Sequence, residues 1–303
     1  MSVPILFLLS FIAMLGGKIF SKLCSNILSQ NSVAKYSLAL VINSFVACCF
    51  FGIFGEFQIV VNKATLLYSI IYAVIVAVAI ISGVVVYRYA SISNVNIVSS
   101  SCGMGCTAVV GWMLFSEKMG ILNVVRLLIM LVATAFAFLD QKKKESDMKP
   151  PEERKKGTIL SLTLIIAMMT VCGCANTVVL KAFAMSERVT DENSFFFFTN
   201  VLLLIVALIV FIVACLRNRG ELKDSLQLLH PKKLVAIGGN TVCSNILSLV
   251  SVCILERIDI SIYSPISSAL GIVVGLVGSL MFQERLGVFA YIAAAVACIV
   301  VVI

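Results

Sequence analysis

The chain of 303 residues is 61% hydrophobic and only 13% charged, with a mean hydropathy of +1.10 and a formal net charge of +8. Water-soluble domains run at roughly 45–50% apolar and about 25% charged, so this composition excludes an ordinary soluble enzyme, a disordered chain and a nucleic-acid binder. What remains is a chain that uses the lipid bilayer as its solvent.

Apolar runs bounded by charged or turn residues predict ten spans: Val3–Lys22, Ala34–Phe54, Thr65–Tyr87, Asn94–Phe115, Ile121–Leu139, Ile159–Ala182, Ser194–Leu216, Leu234–Leu255, Ile260–Phe282 and Val288–Ile303. Each is continuously apolar for about 20 residues, the length of a bilayer-crossing helix, whereas barrel strands alternate over roughly 10. Met1–Phe20 lacks the basic leader of a cleaved signal peptide and is apolar for too long, so it is expected to persist as the first helix.

Ionisable groups at membrane depth are functional candidates, because each costs about 2.5–3.5 kcal/mol to insert unpaired. In the first span Lys18 follows Gly16 and Gly17 and sits a turn deeper than Lys22. Lys22, Arg88, Arg126 and Lys181 lie near span ends, where long side chains snorkel to the interface. Mid-span polar residues form a second class: Asn43, Asn96, Asn176, Asn200, Asn240 and Asn245, with Ser99, Ser100, Ser101, Ser267 and Ser268. Such groups either bond helix to helix or line a polar path. The run Ser99–Gly103 loosens the fourth span and Pro265 removes a backbone donor from the ninth, making Gly103 and Pro265 hinge candidates. Tyr263 could stack on a solute, and Trp112 reads as an interfacial anchor. Phe195–Phe198 reads as lipid contact and packing, and Gly271, Gly275 and Gly278 as a small-residue face for close helix approach.

Cys172 and Cys174 lack the two-residue gap of a redox or zinc pair, and His230 is the single histidine, so neither metal nor cofactor is expected. With no intramembrane carboxylate pair and no nucleophile–histidine constellation, the sequence argues against an enzyme.

The stretch 141–157 is polar and basic and separates a first half, 1–140, from a second, 158–303. The halves repeat. Phe115-Ser116-Glu117-Lys118-Met119-Gly120 matches Phe282-Gln283-Glu284-Arg285-Leu286-Gly287, Ser100 and Ser101 match Ser267 and Ser268, and Gly111 matches Gly278. At slightly different offsets Lys22 pairs with Lys181, and Asn43 with Asn200. Five spans is an odd number, so a repeat after a short linker enters the membrane from the opposite side. The expected fold is therefore all-α, ten transmembrane helices in two inverted five-helix repeats, the arrangement of alternating-access transporters.

At these residues the chain resembles the drug/metabolite transporter superfamily and, within it, the ten-helix EamA-like members. The family's tight turn, small-polar or Pro-containing helix and Gly-Glu-Arg-like close are matched by Tyr87-Arg88-Tyr89-Ala90 through Phe115-Ser116-Glu117-Lys118. They are matched again by Leu255-Glu256-Arg257 through Phe282-Gln283-Glu284-Arg285. Pro265 stands where the family has its Pro, and Val98 replaces it in the first half. The resemblance implies a secondary transporter of small metabolites whose fourth and ninth helices face a central cavity. Small multidrug resistance relatives carry a glutamate in the first helix, and this chain has no acid in its first or sixth span. Glu117 and Glu284 sit at span ends, where pairing with Lys118, Arg285 or loop backbone gives them a structural role.

The functional expectation is an exporter or exchanger of a neutral, zwitterionic or anionic solute in the plasma membrane. Its candidate binding residues are Lys18, Asn43, Ser100, Ser101, Asn176, Asn200, Asn245, Tyr263, Ser267 and Ser268. A homodimer is compatible with the sequence, and a non-transporting partner, such as a flippase subunit or receptor-like scaffold, is the alternative. Lys and Arg concentrate in connections after odd-numbered spans, which by the positive-inside rule places both termini outside. The resemblance implies termini in the cytoplasm, so the two arguments disagree.

Overall fold

The structure, a computed structural model, describes residues 2–27, 33–86, 92–118, 120–147, 159–186, 191–217, 220–282 and 287–302. Among these residues every regular element is helical: α1 (Val3–Ile27), α2 (Val33–Phe54), α3 (Lys63–Val86), α4 (Ile92–Phe115), α5 (Ile121–Asp147), α6 (Ile159–Ala184), α7 (Glu192–Arg217), α8 (Gly220–Leu226), α9 (Pro231–Leu255), α10 (Ile260–Met281) and α11 (Val288–Val302). Five of them, α1, α2, α7, α9 and α10, are long and apolar enough to cross a membrane. Exposed faces are themselves apolar: Ile205, Ile209, Val213 and Leu216 on α7 point away from the protein. In water such a surface would aggregate, and in lipid it is the ordinary solvent-facing side.

Several helices run past their expected bounds, α1 to Ile27 among them, and two differences are larger. Past the apolar end at Leu139, α5 runs on to Asp147 through Gln141-Lys142-Lys143-Lys144-Glu145, all good helix formers by intrinsic propensity. The connection Arg217–Lys233, expected as a loop, contains α8 and a 3₁₀ turn over Gln227–Leu229.

The chain forms two compact units, Met1–Val74 with Phe183–Cys253 and Ile75–Ala182 with Ile254–Ile303. In the first, α2 packs along α7, and α8 rests against both. Its centre is aromatic. Phe195, fully buried, stacks on Phe183 at 4.1 Å and meets Tyr72 edge-on, while Phe196 stacks on Phe51 at 5.0 Å. Of the phenylalanine run expected to serve lipid contact and packing, Phe195 and Phe196 thus give their rings to the core. Asp191 caps α7 by accepting from the Asn193 and Ser194 N–H groups at 3.2 and 2.9 Å. A second cluster joins Cys24 of α1 to Ala236 and Ile237 of α9, with Ala39 and Ile42 of α2 beside them. Glycine permits the approach of α1 to α9: a Cβ at Gly239 would lie 2.6 Å from the Phe20 ring, and one at Gly16 2.9 Å from Cys243 Sγ.

In the second unit α5 packs along α11, and α10 contacts α4, α5 and α11. Met104, Met130, Ala133, Ala269, Ala297 and Val300 form its core, with alanine rather than glycine supplying the close contacts. Gly271 is exposed, and a Cβ added there or at Gly275 would meet nothing within 4 Å. The expected glycine face on the ninth span is therefore not a tight protein–protein contact at those two positions.

Candidate functional site

The polar residues gather in two places, one in each unit. In the first unit Asn43 of α2 faces Thr241 of α9, whose hydroxyl reaches both Asn43 Oδ1 and the Ile237 carbonyl (2.8 Å). A hydroxyl has one proton, so it donates to one of the two at a time. One turn further along α9 lies Asn245, 8% exposed, with its Nδ2 buried and without a partner among the described residues. Residues four apart share a helix face, so Thr241 and Asn245 make a single polar stripe on α9. Asn200 does not join this group through its donor: Nδ2 bonds the Phe196 carbonyl of its own helix at 2.8 Å. Lys18 is exposed on α1 rather than buried in the packing.

The second unit holds a charged clasp at the junction of α9 and α10. Glu117, 7% exposed, accepts from the Ile260 N–H at 2.7 Å and the Ser261 N–H at 3.0 Å, the first two amides of α10. Lys181, 5% exposed, donates to the carbonyls of Leu255 (2.6 Å) and Ile258 (2.7 Å) at the end of α9. An anion thus sits at one helix N-terminus and a cation at the adjacent C-terminus, each matching the sign of the local helix dipole. Asp259 occupies the N-cap position of α10 without a side-chain capping bond, so Glu117 does that work from another part of the chain. Lys181 does not snorkel: its ammonium is buried and donates two of its three protons to backbone carbonyls. Gly111 leaves room for the carboxylate, since a Cβ there would come within 2.8 Å of Glu117 Oε2.

The network extends outward. Asn123 donates to Ser261 Oγ at 3.3 Å and accepts from Arg126 at 2.9 Å, while Arg126 Nε is buried without a partner among the described residues. Deeper along α10, Ser264 pairs with Thr107 of α4 at 3.0 Å, next to Pro265, which is buried inside a helix that continues past it. Asn176 on α6 has a buried Oδ1 with no partner, and Tyr263, Ser267 and Ser268 are half-buried on α10. A Cβ added at Gly103 would meet nothing within 4 Å. Trp112 is exposed. The side chains of Lys22, Asn96, Ser100 and Ser101, and all of Arg88 and Glu284, lie outside the described residues.

Thr241, Asn123, Thr107 and Ser264 were not singled out in the sequence. Threonine and serine at membrane depth commonly bond the carbonyl four residues back, as Thr107 does to Gly103 at 2.5 Å, and nothing in sequence separates those that also cross to another helix.

No family model matches the chain, and no curated protein matches it. A solved structure described only as "Crystal structure of protein" shares the fold, with a TM-score of 0.66 over 99% of this chain and 95% of that one at 15% identity. At that identity the likeness shows the fold alone.

Proposed function

We propose that the chain is a secondary transporter of a small polar metabolite, an EamA-like member of the drug/metabolite transporter superfamily. In this reading it has ten membrane-spanning helices in two inverted five-helix repeats and works by alternating access at the plasma membrane. The observation that carries the reading is the buried Asn245 amide, a donor with no acceptor among the described residues, on the same face of α9 as Thr241, which meets Asn43 of α2. Leaving such a group unsatisfied costs about 1–3 kcal/mol, and a bound solute that accepts a hydrogen bond recovers it.

The pairing of helices supports the repeat. Spans two and seven, four and nine, and five and ten are repeat-equivalent, and the corresponding pairs α2–α7, α4–α10 and α5–α11 pack together. Contact between equivalent helices is what a pseudo-two-fold axis produces. The charges favour a neutral, zwitterionic or anionic solute. Glu117 is buried but already committed to two backbone amides, so an organic cation would lose its hydration without gaining a free carboxylate.

The test is flux of a broad metabolite panel in proteoliposomes, with thermal stabilisation by the same compounds as a second readout. Asn245→Ala is expected to lower flux of the transported compound about fivefold, the worth of one hydrogen bond, with the melting temperature unchanged or raised. If no compound moves or stabilises the protein, transport fails as the function and the non-transporting partner takes its place. If flux and folded yield fall together in Asn245→Ala, the residue belongs to helix packing.

A further inference from the structure

The segment from α8 to the turn after it has an apolar face that no helix covers among the described residues. Ser225 and Leu228 are fully buried, holding α8 and the 3₁₀ turn against the body of the first unit. Leu222, Leu226 and Leu229, spaced four and three apart, are 42%, 47% and 47% exposed. That spacing puts all three on one side of a helical stretch. Basic residues flank the stripe: Arg217, Lys223 and Lys232 are exposed and Lys233 is half-exposed. The connection also carries Arg219, Glu221 and Asp224, and stays net basic.

We propose that this segment is an interfacial anchor lying along the membrane surface, with its leucine stripe in the acyl boundary and its basic residues on the phosphates of anionic lipids. Three features point to lipid over a protein partner. α8 joins the C-terminal end of α7 to the start of α9, both long enough to span, so the segment emerges at membrane-surface height. An apolar stripe bordered by Lys and Arg is the pattern of an in-plane membrane helix. The connection follows the seventh span, on the side where basic residues concentrate and where, by the positive-inside rule, the leaflet is the anionic cytoplasmic one. A helix this short would not bind a membrane alone, but both its ends are fixed by spanning helices, so no translational entropy is lost when it docks.

The experiment is hydrogen–deuterium exchange of the full chain in nanodiscs of phosphatidylcholine alone or mixed with phosphatidylserine, read on peptides covering residues 220–229. Exchange is expected to be slower in the anionic discs. Lys223→Gln, Lys232→Gln and Lys233→Gln should each reduce the ratio between the two lipids by about fivefold at most, and the triple variant should abolish it. Leu222→Ser with Leu226→Ser and Leu229→Ser should speed exchange in both disc types. Equal exchange in the two lipids, or a ratio unchanged in the triple lysine variant, overturns the proposal. So does protection that grows with protein concentration at fixed lipid, which would place a second copy on the stripe. Peptides from α2 and α7 report folding, so a variant that merely unfolds is distinguished by faster exchange there as well.

Discussion

Glu117 and Lys181 place two opposite charges where water is scarce, yet each bonds only backbone. A buried charge that loses its partners is costly, about 3–5 kcal/mol when one side of a pair is removed, so the helix ends they serve should depend on them strongly. Glu117→Ala leaves the Ile260 and Ser261 amides unsatisfied and Lys181 without its nearby anion. It should lower stability by about 3 kcal/mol, read as loss of monodisperse protein on heating in detergent. Lys181→Met keeps the length and removes the charge, and should cost about 1–3 kcal/mol. The double variant should lose less than the sum, because each single change strands the other residue. Additive losses would mean that the two caps act independently. Sequence made Glu117 visible as a repeated span-end acid. It could not reveal what the acid bonds, since a backbone amide is present at every non-proline residue and leaves no mark on composition. Asn43 and Asn245 were legible for the opposite reason, as amide side chains inside predominantly apolar runs.

At the scale of helices, a continuous apolar run is a strong signal because lipid requires a spanning segment to satisfy its own backbone, and helices follow nearly wherever such runs occur. Where the pattern turns polar the signal fades. α8 was missed because its glycine and charged residues outweigh the leucines, and the extension of α5 to Asp147 was missed because hydropathy marks the membrane boundary rather than the helix end. Small residues show the same limit. Gly271, Gly275 and Gly278 carry the obvious spacing, but the glycines with no room for a side chain lie elsewhere, among them Gly16 and Gly239, where α1 meets α9. Gly239→Ala should push Phe20 aside and cost about 1–3 kcal/mol, the usual penalty for overpacking. Gly271→Ala, in open space within a helix, should be neutral or stabilising by about 1 kcal/mol through helix propensity. Thermal midpoints of the two variants check this, and a larger loss in Gly271→Ala would refute the assignment of the tight contact to α1 and α9.

For the whole molecule the unresolved opposition is orientation, since the charge pattern and the family resemblance assign the termini to opposite sides. The charge argument is physical: basic residues near span ends resist translocation, and here they crowd the stretch 141–157 and the connection Arg217–Lys233, both after odd-numbered spans. Orientation by charge predicts that a reporter active only in the cytoplasm works when fused at Lys149 and fails when fused after Ile303. The opposite pattern would favour the family's arrangement and would move α8 to the outer leaflet, where anionic lipid is scarce. Charge can also be tested as the cause. If these lysines and arginines hold the chain in place, replacing Lys142, Lys143, Lys144, Arg154, Lys155 and Lys156 with glutamine should produce a mixed population at the Lys149 reporter, whereas replacing the acids Glu145, Asp147, Glu152 and Glu153 should change little. A chain whose orientation ignores both sets of changes would owe it to the packing of its helices instead, and the net charge of +8 would then be a property of its surface alone.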